Sequence, residues 1–235
     1  MKKNIFLVVI LTFIGGYVMA QAVTHGATKA DPTDFQGWYG ASFNTNLPRK
    51  WSINLNYQAR FIDNLSYYNG SYITLGGAKK INKHLEFMGD YRLSLVRAGV
   101  YNRFTIGTEL SKKLKHLNLA LRFQLQNQLQ EFDDATKPSD KSAYWRVRVQ
   151  GKYAINKKWE AYASFEPIMK FGATYFVDNI RNTIGCKYKV KKDLKLDAFY
   201  IYRPDYSKSY NRLYNIIGFN ADYTFKVKKH KKKSS

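Results

Sequence analysis

Eight of the chain's arginines, Arg60, Arg92, Arg103, Arg146, Arg148, Arg181, Arg203 and Arg212, recur at regular intervals through polar and apolar residues that alternate. A guanidinium presents a planar fork of donors that matches the two oxygens of a carboxylate or phosphate. Rings of arginine or lysine are also how pores favour anions. Brought into one enclosure, these side chains would recognise or pass a small anion. Glu86, Glu109, Glu160, Asp197 and Asp222 recur nearer the opposite ends of the same segments, which predicts a basic outer zone and an acidic inner one. The same charges also suit a purely structural role, in which Arg92, Asp90, Glu166 and Gln126 interlock and fill the interior, as side chains do in small barrels.

Catalytic chemistry finds less support. A serine nucleophile needs a histidine within hydrogen-bond reach, and of the four histidines His25 and His230 lie near the chain ends while His84 and His116 begin strands at one rim. Ser66, Ser139 and Ser142, where a lipid-modifying enzyme would keep its nucleophile, belong to the other rim. Cys186 is the single cysteine, so neither an intramolecular disulfide nor a thiolate metal site is expected. Asp133, Asp134 and Asp140 do not have calcium-loop spacing. Gly76 and Gly77 lie inside a strand, where they are expected to relieve crowding in a bent wall rather than to cradle a phosphate. No catalytic residue, metal or cofactor is expected.

The elements that position the arginines are strands. In WSINLNYQARF, residues 51–61, Trp51, Ile53, Leu55, Tyr57, Ala59 and Phe61 alternate with Ser52, Asn54, Asn56, Gln58 and Arg60. Period two places these sets on opposite faces. The pattern recurs in residues 84–95 and 116–129. Eleven candidate strands follow, at 35–46, 51–62, 67–79, 84–95, 100–112, 116–130, 142–154, 158–169, 176–189, 194–203 and 210–226. Most exceed the roughly 5–6 residues of ordinary globular strands and suit the roughly 9–11 that a tilted strand needs to cross a bilayer. Bacterial barrels of one chain use even strand numbers, so the expectation is either ten strands with a cap around Trp38 or, preferred, twelve with one more before Asp34.

Lysines mark every second connection: Lys50, then Lys79, Lys80 and Lys83, then Lys112, Lys113 and Lys115, then Lys157 and Lys158, then Lys191 and Lys192. These turns are short and share a side with the chain's end, which predicts a periplasmic rim, with the longer loops outside. Aromatic residues fall near both rims, with Trp51, Tyr153, Trp159, Tyr188, Tyr223 and Phe225 at the lysine side and Phe61, Tyr67, Trp145 and Tyr202 at the other.

Residues 1–20 carry Lys2 and Lys3, an apolar run from Ile5 to Ile14, and small residues up to Ala20, the pattern of a secretory signal cleaved after Ala20. Export makes nucleic acid an improbable partner despite a formal charge of +22. The expected partners are outer-membrane lipids including lipopolysaccharide, the barrel-assembly machinery during insertion, and a small anionic solute. The lysine turns and the basic tail 227–235 would sit near anionic phospholipid headgroups. Residues 21–34 are expected to be a flexible leader to the barrel.

A Trp-bearing opening strand, a Lys-containing turn, a strand ending in Gln58, Ala59, Arg60 and Phe61, and regular hairpins thereafter resemble the bacterial family called domain of unknown function 2490, over about residues 35–226. The resemblance implies an outer-membrane barrel and no assigned role. The combined expectation is an all-β fold: an antiparallel up-and-down transmembrane β-barrel of 10 to 12 strands over residues 35–226, without evident catalysis. Its lumen would be a narrow channel or binding site for small anions, with a lipid-modifying enzyme or a plugged structural barrel as alternatives. The mature chain should begin at Gln21 and stay in the membrane pellet after carbonate washing. Release into the supernatant would identify a periplasmic lipid-binding β-protein instead.

Overall fold

A computed structural model describes residues 33–96, 99–131, 140–172, 177–206 and 212–226. The signal, nearly all of the 21–34 leader, the tail 227–235, and Asp133, Asp134 and Ser139 lie outside the described residues.

Eleven strands form a closed barrel: β1 (Thr33–Asn46), β2 (Trp51–Ile62), β3 (Tyr67–Lys80), β4 (Leu85–Val96), β5 (Gly99–Lys113), β6 (Leu117–Glu131), β7 (Asp140–Ala154), β8 (Trp159–Lys170), β9 (Val177–Lys189), β10 (Leu194–Asp205) and β11 (Arg212–Lys226). Neighbours in sequence pair antiparallel, and closure is made by β1 against β11 in parallel. The even number expected from the antiparallel rule is therefore not what closes the ring. The Trp38 segment is a full strand rather than a cap, and it begins at Thr33, inside the stretch expected to be leader. Odd parity places the start of β1 and the end of β11 at opposite ends of the barrel.

Alternation decides which side chains face out. Along β2, Trp51, Ile53, Leu55 and Tyr57 are exposed while Ser52, Asn54, Asn56 and Gln58 turn inward. The outward set continues around the wall, and Ile106 (65 %) and Phe104 (59 %) are among its most exposed members. An apolar outer wall enclosing a polar interior is the inverse of a soluble protein and fits a lipid surround. No helix among the described residues is long and apolar enough to cross a membrane. The connections at the lysine rim are three or four residues long. Two of these turns use the same device: Asn82 Oδ1 accepts from the N–H of His84 and Leu85, and Asn156 Oδ1 from the N–H of Lys158 and Trp159. Such side-chain to backbone bonds are why Asn is favoured in turns.

The parallel seam is reinforced on both faces. Outside, Tyr39 stacks on Phe219 at 6.2 Å and Phe43 on Phe225 at 6.1 Å. Inside, Trp38, Ile201 and Ile216 bury one another, with Phe199 and Tyr214 packed against them. Ile216 is 0 % exposed. Glycine makes this inner cluster possible. A Cβ on Gly218 would lie 2.0 Å from Cζ of Phe199, and one on Gly185 would lie 2.4 Å from Cζ of Tyr162. Both rings therefore lie over the wall of the neighbouring strand instead of projecting across the lumen.

Gly218→Ala should force the Phe199 ring off the wall and cost about 1–3 kcal/mol, read from the urea unfolding midpoint of the refolded barrel. Adding Phe199→Leu should recover most of the loss.

Candidate functional site

The strand ladder carries the arginines into the lumen from seven strands. Arg60 belongs to β2, Arg92 to β4, Arg103 to β5, Arg146 and Arg148 to β7, Arg181 to β9, Arg203 to β10 and Arg212 to β11. Arg92 and Arg103 are direct cross-strand neighbours, as are Arg181 and Glu166.

Arg60, Arg92, Arg103 and Arg181 line one cavity of about 320 Å³ towards the loop-bearing end, together with Tyr72, Gln126 and Asp178. Asp178 is the only carboxylate among its described lining residues. The two register shifts in the ladder, at Arg60/Phe61 and at Ile168/Met169, leave Asn69 and Asp178 as the extra residues opposite them. Both line this cavity. A bulge bends its strand and re-aims side chains, and here both bulges direct polar groups at one place.

The four guanidiniums are held in different ways. Arg60 lies between two rings, 3.8 Å from the centroids of Trp38 and Tyr72, and donates from Nε to Gln58 at 2.8 Å. Its faces are covered, so its outer nitrogens have only in-plane directions left. Arg92 donates from Nε to Thr74 at 2.8 Å. Arg103 pairs with Asp90 at 3.5 Å. Arg181 has an enclosed Nε that meets no acceptor in the protein. Arg60, Arg92 and Arg181 make no ion pair with a described residue within 4.0 Å. Leaving an enclosed donor without a partner costs roughly 1–3 kcal/mol, so such donors favour lumen water or a solute.

A second cavity of about 350 Å³ is lined by Arg146, Arg148, Arg181, Lys152 and Lys187, and by Trp38, Phe199 and Ile201 across from them. A third, of about 460 Å³, takes Arg92, Arg103, Arg122 and Arg146 with Glu86 and Asp90. Arg181 is common to the first two, and Arg146 to the second and third. Gly76 and Gly77 also line the third. No atom stands closer than 3.6 Å to a Cβ placed on either, so neither relieves crowding, and Gly76, on the inward face, leaves lumen space.

The proposed interlock is partly present with other partners. Arg146 donates to Glu166 at 2.8 Å and to Gln126 at 3.1 Å, while Asp90 is taken by Arg103. Arg148 sits beside Glu109 at 3.8 Å, deeper than the outer zone in which it was expected. Arg122, singled out by no sequence argument, holds Glu109 at 2.6 Å. Lys187 bridges Asp197 at 3.2 Å and Asp222 at 3.3 Å, and Tyr162 donates to Asp197 at 2.9 Å. The inner zone is therefore charge-balanced rather than acidic. Lys152 and Lys187 were legible only as inward positions of their strands; the clustering of lysines at turns hid them. Arg203 stacks on Tyr214 at 4.1 Å and reaches Asp205 at 3.8 Å, and Arg212 opens β11 at the loop end.

His84 and His116 stay at the lysine rim, where His84 Nδ1 lies 2.9 Å from the Ser111 carbonyl and the His116 ring 6.3 Å from Tyr153. Ser66 is in the turn at the other rim, donating to the Asp63 carbonyl. Among the described residues no three His, Cys, Asp or Glu side chains gather as a metal site.

Residues 35–214 match the family described as protein of unknown function, DUF2490. The chain belongs to that family. In fold it is similar to the porin NanC, solved in a rhombohedral crystal form, at a TM-score of 0.50 and 13 % identity, covering 72 % of this chain and 86 % of that one. A weaker likeness, at TM-score 0.34 and 8 % identity, is to OccK8 (OprE) of Pseudomonas aeruginosa, covering 67 % of this chain and 54 % of that one. No curated protein matches the chain in sequence. At these identities the likeness is one of architecture, a porin-like barrel.

Glu166 is buried and Arg146 nearly so, with side chains 7 % and 11 % exposed. Glu166→Ala should therefore destabilise the barrel by about 3–5 kcal/mol, because it strands the guanidinium. Glu166→Gln, which keeps an acceptor, should cost less; unfolding of the two variants in one lipid system tests the difference.

Proposed function

We propose that this DUF2490 protein is an outer-membrane barrel whose lumen binds or conducts small anions. The observation that carries the reading is the cavity of about 320 Å³ lined by Arg60, Arg92, Arg103 and Arg181, with Asp178 the one carboxylate among its described lining residues. Three of those arginines make no ion pair with a described residue, and two, Arg103 and Arg181, keep an enclosed Nε without an acceptor. A packing device would neutralise its charges, as Arg146 and Glu166 do lower down. Unneutralised guanidiniums in a narrow lumen raise the local concentration of anions and repel cations. The apolar outer wall and aromatic rims support residence in the outer membrane, with lipopolysaccharide and phospholipid as neighbours and insertion by the assembly machinery.

The Arg146–Glu166 and Arg103–Asp90 pairs, together with the Trp38 cluster, favour a second reading, in which the lumen is closed and the barrel is structural. Conductance separates the two. The refolded mature protein in a planar bilayer under a potassium chloride gradient should give steady steps with an anion-favouring reversal potential. Replacing Arg60, Arg92 and Arg181 together by Gln should move that potential towards zero, while Lys115→Gln at the turn leaves it unchanged. A folded barrel without conductance and without anion binding would establish the closed reading.

A further inference from the structure

The second lumen cavity is two-faced, and that asymmetry bears on what the anion is. Around the ring the strands run β1, β11, β10, β9, β8, β7 and onward to β2. Trp38, Phe199 and Ile201 come from β1 and β10, on either side of β11. Arg146, Arg148 and Lys152 come from β7, further round the ring, and Arg181 stands between the two sets on β9. All of them line the same space of about 350 Å³, at the small end of the range for ligand pockets. One cavity thus has cationic side chains from β7 and β9 and apolar ones from β1 and β10 in its lining.

Seam packing accounts for only part of the apolar arc. Ile216 and the buried edge of Trp38 brace the β1–β11 joint, and their exposure is 0 % and 5 %. Phe199 is different. It belongs to β10, remains only partly buried, and is held over Gly218 by the absence of a Cβ there. A ring laid along the wall leaves the lumen open and offers an apolar surface to whatever occupies it. Water gains nothing from such a surface, whereas an apolar ring laid against it removes area from water on both sides. Gln58, Gln150, Ser164, Thr183 and Tyr162 add neutral donors and acceptors; of the two carboxylates in the lining, Asp197 is held by Lys187 at 3.2 Å and Glu166 by Arg146 at 2.8 Å.

We infer that this cavity takes a monoanion bearing an aromatic or alicyclic ring, with its acid group on Arg181 and Arg148 and its ring against Phe199, Ile201 and Trp38. The inference rests on the anion reading above and adds the ligand's second half to it. A doubly charged, fully polar anion such as phosphate would satisfy the arginines but leave the apolar arc wet. A neutral ring would satisfy the apolar arc and leave the Arg181 Nε without an acceptor.

The test uses refolded mature wild-type protein and four probes: phenylacetate, acetate, inorganic phosphate and benzyl alcohol. Binding is followed by titration calorimetry and by block of chloride current in a planar bilayer. Phenylacetate should bind about 10-fold or more tighter than acetate, the scale on which an apolar pocket reads added carbon, and tighter than phosphate or benzyl alcohol. Phe199→Leu should erode the preference for phenylacetate over acetate. Arg181→Gln should weaken both carboxylates. Because the wild-type comparison stands by itself, a variant that fails to fold does not decide the matter. Equal affinity for phenylacetate and acetate, or tighter binding of phosphate, would overturn the inference and leave the anion reading standing. Benzyl alcohol binding as tightly as phenylacetate would overturn it by showing that the acid group contributes nothing. Absence of both anion binding and anion-favouring current would remove the underlying reading as well.

Discussion

Closure of the hydrogen-bond ladder is the constraint on which everything else in this barrel depends. A strand with a free edge inside lipid would leave unsatisfied N–H and C=O groups, each costing several kcal/mol. Here β1 and β11 remove the edge by pairing in parallel over the full length of β1, from Thr33 with Leu213 to Asn46 with Lys226. Parallel ladders are slightly weaker per residue than antiparallel ones. The two aromatic stacks outside and the Trp38–Ile201–Ile216 cluster inside fall at this joint. The apolar patch in the lumen is a consequence of how the ring closes.

Once the ring is closed, alternation turns a linear pattern into two environments. Every second residue meets an apolar surround and every other one meets its counterparts across the lumen. Charged side chains that are far apart in the chain then have to settle their electrostatics with one another. At mid-depth they do so by pairing: Arg122 and Arg148 share Glu109, and Lys187 joins Asp197 to Asp222. Towards the loop end the pairing is incomplete, and arginines crowd a cavity that holds one carboxylate. That gradient, from balanced to unbalanced charge, is the physical content of the site.

Two local irregularities act on the same place. The register shifts beside Arg60 and Ile168 insert Asn69 and Asp178 at the outer cavity, and the sandwich of Arg60 between Trp38 and Tyr72 fixes one guanidinium plane. Neither depends on the general barrel pattern, and both restrict how an anion could be met.

The sequence by itself determined the strands, because period-two alternation over 12–15 residues is a local property; most ends read from it fall within two residues of those observed. It also determined which arginines face inward, since facing follows from the same alternation. It did not determine parity. Whether the first strand pairs with the last, and in which direction, is a contact between residues about 180 apart that leaves no periodic trace. Nor did it determine partners. Arg122 and Lys187 looked like any inward polar residues until the curvature of the wall brought Glu109, Asp197 and Asp222 to them. The expected acidic zone failed for this reason, as composition along a strand counts charges but cannot pair them. That Phe199 shares a cavity with Arg146 and Arg148 was likewise decided by the curvature of the wall, which brings side chains of β7 and β10 to one lumen space.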